Sequence, residues 1–378
     1  MKQLMRTIAD SLYKWPIKPL LFARPPDAVH EGMVRLGWFT QKLPLVNRLM
    51  HASLSHADST MLAQHVFGLT FENPVGLSAG LDKNAQLPPT MRAVGFGFAT
   101  VGSITAEAAD GNPKPWYYRL PNSKSLVVNA GLPNEGADVI GERIASYRGD
   151  LFEHFPLVAN LAKTNSPKTN TDEAGVADYI AGLSALQHNP HIAMFEINVS
   201  CPNTFGGEPF TRPEPLEALL AKIDDLNLLQ PVTVKMPINL TWDKFDELLQ
   251  VIVKHKVVAV TIGNLQKNRK AVELKDKLPD TVPGNLSGKP TFDMCNELIA
   301  KTYAAYGEKL TIIGLGGIFS AEDTYEKIKR GATLVELVTG VIFTGPQLIG
   351  QINHDLVALL KRDGYANISE AIGANHRL

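Results

Sequence analysis

Cysteine is scarce in this sequence, which contains only Cys201 and Cys295 among 378 residues. Two cysteines do not form the disulfide framework of small secreted domains, so we expect a reducing compartment. No apolar run approaches the roughly 20 residues that a membrane-spanning helix needs. The apolar residues near the N-terminus are interrupted too often for a signal peptide. The sequence therefore predicts neither a spanning helix nor export.

An excess of positive charge is also missing, because 37 Lys and Arg stand against 38 Asp and Glu. A nucleic-acid-binding protein needs a broad basic face, so this balance argues against one. The charged residues are nevertheless unevenly distributed along the chain. Residues 1–50 contain eight Lys or Arg and three Asp or Glu, a balance of +5, which leaves −6 for the rest. The N-terminal segment is thus expected to present a different surface from the remainder.

Short apolar runs of strand length alternate with amphipathic segments from residue 70 onward. The eight runs lie at 74–77, 96–101, 156–159, 192–197, 232–235, 257–261, 310–313 and 334–337. The helical patterns lie near 84–94, 136–147, 172–187, 213–227, 241–255, 291–305, 320–330 and 346–362. No repeat of 20 to 50 residues is visible, which argues against a solenoid. This alternation predicts an α/β fold, a (β/α)8 TIM barrel.

Two insertions interrupt the predicted barrel. Residues 111–135 have the pattern of a hairpin placed on top of the barrel. Residues 263–290 form a long polar segment after the sixth strand, and a loop of that length usually serves as a functional lid or wall.

The first 60 or so residues have the pattern of short amphipathic helices with basic polar sides. Apolar residues fall on one face of the first helix, namely Leu4, Met5, Ile8, Leu12 and Trp15. Pro16 and Pro19 are expected to end that helix. Asp27 is expected to cap a second helix, whose inner face would carry Val29, Met33 and Leu36. The segment is either a helical cap on the main domain or a surface that enters the membrane interface.

The stretch 195–204 combines the end of an apolar strand with a cluster of polar side chains. In a parallel barrel, side chains at such a strand end reach the rim at which catalysis takes place. Asn198 and Asn203 flank the thiol of Cys201, which suits binding a planar ligand beside a proton-transfer group. The alternative is a strand end with polar turn residues and an inert cysteine.

Lysines and glycines mark other predicted strand ends. Lys83 follows the first strand and Lys235 ends the fifth, and a buried, unpaired lysine is unfavourable, so we expect an anionic or electron-rich ligand near each. The seventh and eighth strands end in the segments 314–318 and 338–340, whose glycines can expose backbone N–H groups to an oxyanion. A bound phosphate is predicted there, with structural glycines in tight turns as the alternative.

Seven motifs occur in order along the chain: 73–77 (NPVGL), 79–83 (AGLDK), 95–97 (GFG), 101–105 (VGSIT), 198–204 (NVSCPNT), 286–290 (LSGKP) and 312–318 (IIGLGGI). In these motifs the chain resembles dihydroorotate dehydrogenase, a flavin enzyme of pyrimidine synthesis, over nearly its whole length. Segments 19–22 and 27–31 resemble the helical extension of the membrane-associated, quinone-dependent class.

The resemblance implies FMN-dependent oxidation of (S)-dihydroorotate to orotate in UMP biosynthesis, with a quinone as electron acceptor and with Cys201 as catalytic base. The implied substrate contacts are Lys83, Asn129, Gly131, Leu132, Pro133, Asn198, Asn203 and Asn264. The implied FMN contacts are Ala79, Gly80, Leu81, Asp82, Lys83, Ser103, Asn160, Asn198, Lys235, Gly263, Gly288, Gly317, Val338 and Thr339. Arg119 is implied to meet the quinone oxygen, and no metal is implied.

Several positions depart from the quinone-dependent pattern. That class usually has Ser at the position of Cys201, whereas Cys and the segment 131–134 are similar to the soluble class. Gly263 replaces a Thr, and Val338 replaces a Tyr. The electron acceptor therefore stays open between a quinone and the fumarate or NAD of soluble-class enzymes.

We predict two parts, an extension at 1–65 that contacts membrane and quinone and an FMN-binding barrel at 66–378. In a bacterium this would be a peripheral protein on the cytoplasmic side of the cell membrane. A tRNA dihydrouridine synthase is also an FMN barrel with a catalytic Cys, but it would need a basic face that a core charge of −6 does not provide. A non-catalytic flavin- or ligand-binding barrel stays open.

Overall fold

A computed structural model describes residues 2–56 and 60–377 of the protein. The N-terminal segment is helical, as expected. It consists of α1 (Lys2–Leu12), a π-helical turn (Tyr13–Ile17), α2 (Lys18–Phe22), α3 (Pro26–Thr40) and α4 (Pro44–Leu54).

The two prolines do not end the first helix, so that prediction was wrong. Pro16 lies inside the π-helical turn, and the chain runs on into α2 with the Lys18 N–H donating to the Tyr13 carbonyl. The wider π turn accommodates a residue that lacks an N–H. Pro19 occupies the second position of α2, where an N–H has no intrahelical acceptor anyway.

Asp27 is not the N-cap of α3, which also corrects a prediction. Pro26 begins the helix instead, because its fixed φ suits the first helical position. The Asp27 carboxylate accepts a hydrogen bond from the Trp116 N–H at 2.9 Å. It thereby ties the N-terminal helices to the inserted hairpin.

The apolar side of α1 faces solvent. All of its predicted apolar residues are exposed, and Trp15 in the following π-helical turn is 81% exposed. The polar Arg6 on the opposite side is only 2% exposed and donates to the Ser55 carbonyl at 3.3 Å. On α3, Met33 and Leu36 were expected to face a core, but they are half exposed and border a cavity. They are exposed because a hollow, and not a packed core, lies between α3 and the barrel.

The strands alternate with helices as predicted. They are β1 (Gln64–Val66), β2 (Leu69–Phe71), β3 (Val75–Leu77), β4 (Phe98–Ile104), β5 (Tyr117–Leu120), β6 (Ser125–Val128), β7 (Leu157–Leu161), β8 (Ile192–Asn198), β9 (Val232–Met236), β10 (Val257–Ile262), β11 (Asn285–Leu286), β12 (Thr311–Leu315) and β13 (Leu334–Leu337). Parallel pairing of β3, β4, β7, β8, β9, β10, β12 and β13 closes a barrel in chain order. The predicted (β/α)8 barrel is confirmed.

The helices of the barrel alternate with these strands or follow the last of them, and all but the short α12 and α14 match the predicted segments. They are α5 (Pro88–Val94), α6 (Ala137–Ala145), α7 (Asp172–Leu186), α8 (Pro213–Asp225), α9 (Trp242–Ile252), α10 (Phe292–Tyr306), α11 (Ala321–Lys329), the short α12 (Thr339–Thr344), α13 (Leu348–Arg362) and α14 (Ile368–Ala371). The expected boundary between residues 65 and 66 falls inside β1.

The inserted hairpin is β5–β6, and the long segment 263–290 supplies β11, which pairs antiparallel with β6. The segment is therefore a wall that extends the hairpin sheet. Asp276 fastens it, because its carboxylate accepts from the Ser123 N–H at 2.6 Å and from the Ser123 hydroxyl at 2.7 Å. The β1–β2 hairpin was not predicted. It places Phe71 edge-on against Phe98, with ring centres 5.3 Å apart, and closes the barrel bottom.

The side chains inside the barrel form an apolar layer and, two residues further along each strand, a polar one. Its apolar layer contains Phe98, Val158, Met194, Ala259 and Leu334. Two residues further along the same strands lie Thr100, Asn160, Glu196, Thr261 and Glu336, all buried. Because alternate residues of a strand share a face, this polar ring lies directly above the apolar layer. One more step leads to Gly102, Asn198 and Val338, which line the cavity described next.

Candidate active site

A cavity of about 540 Å³ opens over the C-terminal ends of the barrel strands and continues beneath the N-terminal helices. This is the usual size of a small-molecule site. Barrel-rim residues such as Asn198 and Lys235 line one part of it, and α3 residues such as Met33 and Leu36 line another. A single hollow thus connects the barrel mouth with the helical extension.

Most of the residues expected at a ligand site lie on this cavity. They are Ala79, Gly80, Leu81, Lys83, Ser103, Arg119, Gly131, Leu132, Pro133, Asn198, Cys201, Asn203, Lys235, Asn264, Gly288, Gly317, Val338 and Thr339. Asp82, Asn129, Asn160 and Gly263 do not line it.

Asp82 and Asn129 are engaged with the protein beside the cavity. The buried Asp82 carboxylate accepts from the N–H groups of Gln86 and Leu87, both at 2.7 Å, and burial raises its pKa to about 6. It stabilises the turn that leads into α5. The side-chain oxygen of Asn129 accepts from the Asn112 amide at 3.1 Å.

Asn160 and Gly263 lie behind the cavity surface. Asn160 belongs to the buried polar ring and donates to Glu196 Oε1 at 2.5 Å. Gly263 has a φ of +152°. A Cβ added there would lie 2.5 Å from Cβ of Leu315, so glycine at this position leaves room for the Leu315 side chain.

Cys201 lies half-buried at the junction of this cavity with a smaller pocket. Burial raises the pKa of its thiol to about 11. The backbone N–H of Asn203 and the charges of Lys235, Lys163 and Lys267 act in the opposite direction. The thiol is therefore mostly protonated at neutral pH, and three cations favour its thiolate when it forms.

Lys163 and Lys267 were not identified from the sequence. Lys163 donates to the carbonyls of Phe205 at 2.7 Å and Thr169 at 2.9 Å, and so it holds the loop that carries Cys201. Lys267 pairs with Glu208 on the same loop. Both lysines stand far from Cys201 in the sequence, so spacing gives no signal for them.

The carboxamides on the cavity wall are oriented by hydrogen bonds. Asn198 donates to the Ser103 hydroxyl at 3.0 Å, and Asn264 donates to the Ser200 carbonyl at 2.8 Å. Asn203 donates to the Val128 carbonyl at 3.0 Å. Fixed amides of this kind can recognise a planar ring with its own amide groups.

Lys83 lies where the barrel, the hairpin and the extension meet. Its ammonium donates to the Tyr117 hydroxyl at 2.8 Å and to the Gly80 carbonyl at 3.0 Å, and it lies 3.2 Å from His30 Nε2. Burial, with the Lys83 charge as the second cause, lowers the pKa of His30 to about 3. His30 is thus neutral, and Lys83 is the cation on this side of the cavity.

Lys235 supplies the cation of the cavity floor. It is 5% exposed, donates to the Ser78 hydroxyl at 3.3 Å, and lies 3.8 Å from Glu196 Oε1. Beneath it, Glu336 accepts from the Thr100 hydroxyl at 2.5 Å. Burial and the neighbouring Glu196 raise the pKa of Glu336 well above its usual range. The two glutamates were not identified from the sequence, although a Glu inside an apolar strand run is the signal that could have found them.

Arg119 projects from β5 towards the N-terminal helices. It donates to the carbonyls of Phe22 at 3.2 Å and Arg24 at 2.7 Å, and its guanidinium lies 4.6 Å from the Phe22 ring centre. Burial lowers its pKa from the usual value, but an arginine stays charged. It is the cation at the extension side of the cavity wall.

The glycines allow a test of whether FMN, implied by the resemblance, suits this cavity. Gly80 has a φ of +116°, and a Cβ there would meet no atom within 4 Å, so its backbone is open to a ligand. Gly317 also lines the cavity, and glycine is required there by its φ of +72° and by Phe292, whose Cβ would lie 2.5 Å from an added Cβ. With Lys235 on the floor and Thr339 at the glycine corner, these residues fit a flat ring with an anionic tail.

The chain is similar to known proteins over most of its length. The dihydroorotate dehydrogenase family model matches residues 61–360. The chain is 34% identical over 358 residues to a dihydroorotate dehydrogenase (quinone) from Haloarcula marismortui, covering 95% of this chain and 98% of that protein. It is also 34% identical over 358 residues to the protein of that name from Gloeobacter violaceus, covering 94% and 97%.

Solved structures are similar as well. A crystal structure of DHODH from Eimeria tenella in complex with ferulenol superposes with a TM-score of 0.80 at 26% identity, over 93% of this chain and 96% of that one. The ligand-free protein from the same organism gives a TM-score of 0.82 at 26% identity, over 93% and 100%. Among the helices of residues 2–56 and 60–377, none has the length and apolar character needed to cross a membrane.

Proposed function

The chain belongs to the dihydroorotate dehydrogenase family, and from that premise we propose that it oxidises (S)-dihydroorotate to orotate in pyrimidine biosynthesis and passes the electrons to a quinone. One observation carries the proposal: a single cavity joins Cys201 and the carboxamides to the hollow under the N-terminal helices. A reaction with two substrates, one polar and one apolar, needs such a two-ended site.

Enzymes of this family generally use FMN, and we propose that this chain holds it on the floor of the cavity. When bound, FMN supplies the hydride acceptor and relays the electrons. Ser103, Asn198 and Lys235 would hold its ring, and the corner formed by Gly317 and Thr339 would hold its phosphate. Of these, Lys235 would favour negative charge on the ring.

The protein's own part in the chemistry is to move a proton and hold the substrate. Cys201 Sγ, as thiolate, would take the proton from C5 while the hydride leaves C6, which creates the C5–C6 double bond of orotate. Lys83 would bind the substrate carboxylate. Asn198, Asn203 and Asn264 would bind the amide groups of the pyrimidine ring.

The acceptor is tested by turnover with a soluble quinone, fumarate and NAD⁺ under one set of conditions. We expect turnover with quinone alone, because apolar residues of α3 line the far end of the cavity. Protein purified without a flavin spectrum would instead support a non-catalytic barrel. Equal turnover with fumarate or NAD⁺ would favour the soluble class, with which Cys201 agrees.

Arg119→Met separates the two half-reactions. Reduction of the flavin by dihydroorotate should keep its rate, whereas reoxidation by quinone should slow by about tenfold or more, because a hydrogen bond to a charged group is worth about 1.5–3 kcal/mol. Lys114→Met is the matched control, since Lys114 lies on the same insertion but pairs with Glu31 outside the cavity. Equal reoxidation rates in both variants would remove Arg119 from the quinone site.

We also propose that α1 lies on the membrane surface. Its apolar side is exposed, and the first fifty residues carry a charge balance of +5, a combination that favours anionic lipid. A bacterial protein of this kind would lie on the cytoplasmic face of the cell membrane. The same surface would bring the open end of the cavity close to quinone dissolved in lipid.

The triple variant Leu4→Gln, Ile8→Gln and Leu12→Gln should lose association with vesicles containing anionic lipid, as measured by co-sedimentation. These side chains are exposed, so the fold should be unaffected. Association of the unchanged protein should weaken with salt, because screening reduces the charge term. The control is Leu229→Gln, an apolar residue that is 96% exposed on the barrel. Full association of the triple variant would make α1 a structural cap.

A further inference from the structure

Two buried glutamates in the polar ring have no place in the reaction as described. Glu196 on β8 and Glu336 on β13 are 0% and 1% exposed. Each has one carboxylate oxygen bonded, by Asn160 and Thr100 respectively, and the other oxygen of each has no protein partner. A fully ionised carboxylate in such a position is unfavourable, because burial penalises the charge and half of the group accepts no hydrogen bond.

The charges around the pair are unbalanced if both acids ionise. Lys235 lies 3.8 Å from Glu196. Its charge also acts on Glu336, where it lowers the pKa that the Glu196 charge raises. The Thr100 hydroxyl donates to Glu336, and the Ser78 hydroxyl also acts to lower the pKa of that carboxyl. Thr233 and Thr261 add buried hydroxyls without protein partners. One cation thus faces two acids, and a single proton would make the cluster neutral.

We propose that Glu196 and Glu336 share one proton and act, through Lys235, as positioning residues that set the charge beneath the bound cofactor. The inference rests on the proposed function, because it assigns the pair a role towards FMN. Loss of the proton leaves a second negative charge under Lys235 and makes a reduced, anionic ring less favourable. At pH values where the oxidised protein has lost this proton, reduction should therefore take one extra proton from solvent into the pair.

Physical chemistry supports sharing over independent titration. Two carboxyl groups in one desolvated site do not both ionise readily, and the proton belongs to the pair as a whole. The raised pKa of Glu336, with burial as its first cause and Glu196 as its second, has the direction that sharing requires. Lys235 both lines the cavity and approaches Glu196. The charge of the pair can therefore act through Lys235 on a ligand in the cavity.

The first test is infrared spectroscopy of the flavin-loaded protein in H₂O and D₂O. The unchanged protein should show a protonated carboxyl band that shifts in D₂O. Glu336→Gln should lose it, because the glutamine amide carries no acidic proton, and Glu196→Gln should change its frequency, because the neighbouring acid is removed. A band that is unchanged in either variant would show that the replaced acid takes no part in holding the proton, which refutes sharing. Glutamine at 336 keeps an acceptor for Thr100, and Glu196→Gln provides a second variant should the first not fold.

The second test is the midpoint potential of the bound flavin as a function of pH. At alkaline pH, the midpoint potential of the unchanged protein should fall more steeply with pH than that of Glu336→Gln. The extra proton changes the equilibrium constant tenfold per pH unit, which is about 30 mV per pH unit for two electrons. Thr233→Val is the matched control and should keep the steeper fall. Parallel profiles in all three proteins would overturn the inference. Absence of flavin from the purified protein would overturn the proposed function as well, so the two failures are distinguishable.

Discussion

Replacing Cys201 with alanine should abolish turnover of dihydroorotate while the flavin stays bound. The thiol is the proposed base at C5, and a positioned general base contributes about 10²–10⁴-fold. Stopped-flow bleaching of the flavin under anaerobic conditions measures this step, and the absorbance of purified protein measures flavin content. Cys201→Ser should keep part of the activity, because a hydroxyl usually occupies this position in the quinone-dependent class.

Cys295 provides the control for this prediction. It is the other cysteine, fully buried on α10 and outside the cavity. Cys295→Ala should therefore leave the reductive rate unchanged. Bound orotate should protect Cys201 from alkylation. Loss of flavin from Cys201→Ala would assign the residue a structural role, and full activity of that variant would refute the base.

The same thiol determines the pH dependence of the reductive step. Because burial raises its pKa to about 11, the thiolate fraction grows about tenfold per pH unit from neutral pH upward. The rate of flavin reduction should rise with it and should not level off below about pH 10. A plateau beginning near ~8.5, the ordinary thiol value, would show that the three nearby lysines outweigh burial.

The barrel was predictable because its strands are buried on both faces. Runs such as 192–197 are apolar except for Glu196, as in parallel sheets covered by helices, and their spacing leaves room for one helix each. The π-helical turn at Pro16 was not predictable in this way. A proline usually ends a helix, whereas here the wider π turn accommodates it and the helix continues.

The site was predictable where it depends on strand ends and not where it depends on contacts across the barrel. Asn198 and Cys201 follow from the rule that a barrel rim carries the chemistry. The approach of Lys83 to His30 joins residues 53 positions apart, and the charge of Glu196 on β8 acts on Glu336 on β13, a strand that is not its neighbour in the barrel. Neither interaction leaves a periodic trace in the sequence.

Lys83→Met should weaken orotate binding by about 1.5–3 kcal/mol, the range for a hydrogen bond to a charged group. The methionine keeps most of the side-chain volume but removes the cation expected at the carboxylate. Titration of the flavin spectrum with orotate measures the dissociation constant, which should rise about 10- to 150-fold. Flavin content should stay unchanged, because other residues are proposed to hold the ring and the phosphate.

Tyr117→Phe separates the charge of Lys83 from its placement. It removes one acceptor, the hydroxyl 2.8 Å from the ammonium, and leaves the cation beside Gly80 and His30. We expect a smaller loss of orotate affinity than in Lys83→Met. If both variants bind orotate as tightly as the unchanged protein, the carboxylate is held elsewhere, and Lys235 is then the remaining cation on the barrel floor to which it could bind. If Tyr117→Phe loses as much as Lys83→Met, the hairpin and not the charge alone determines substrate affinity.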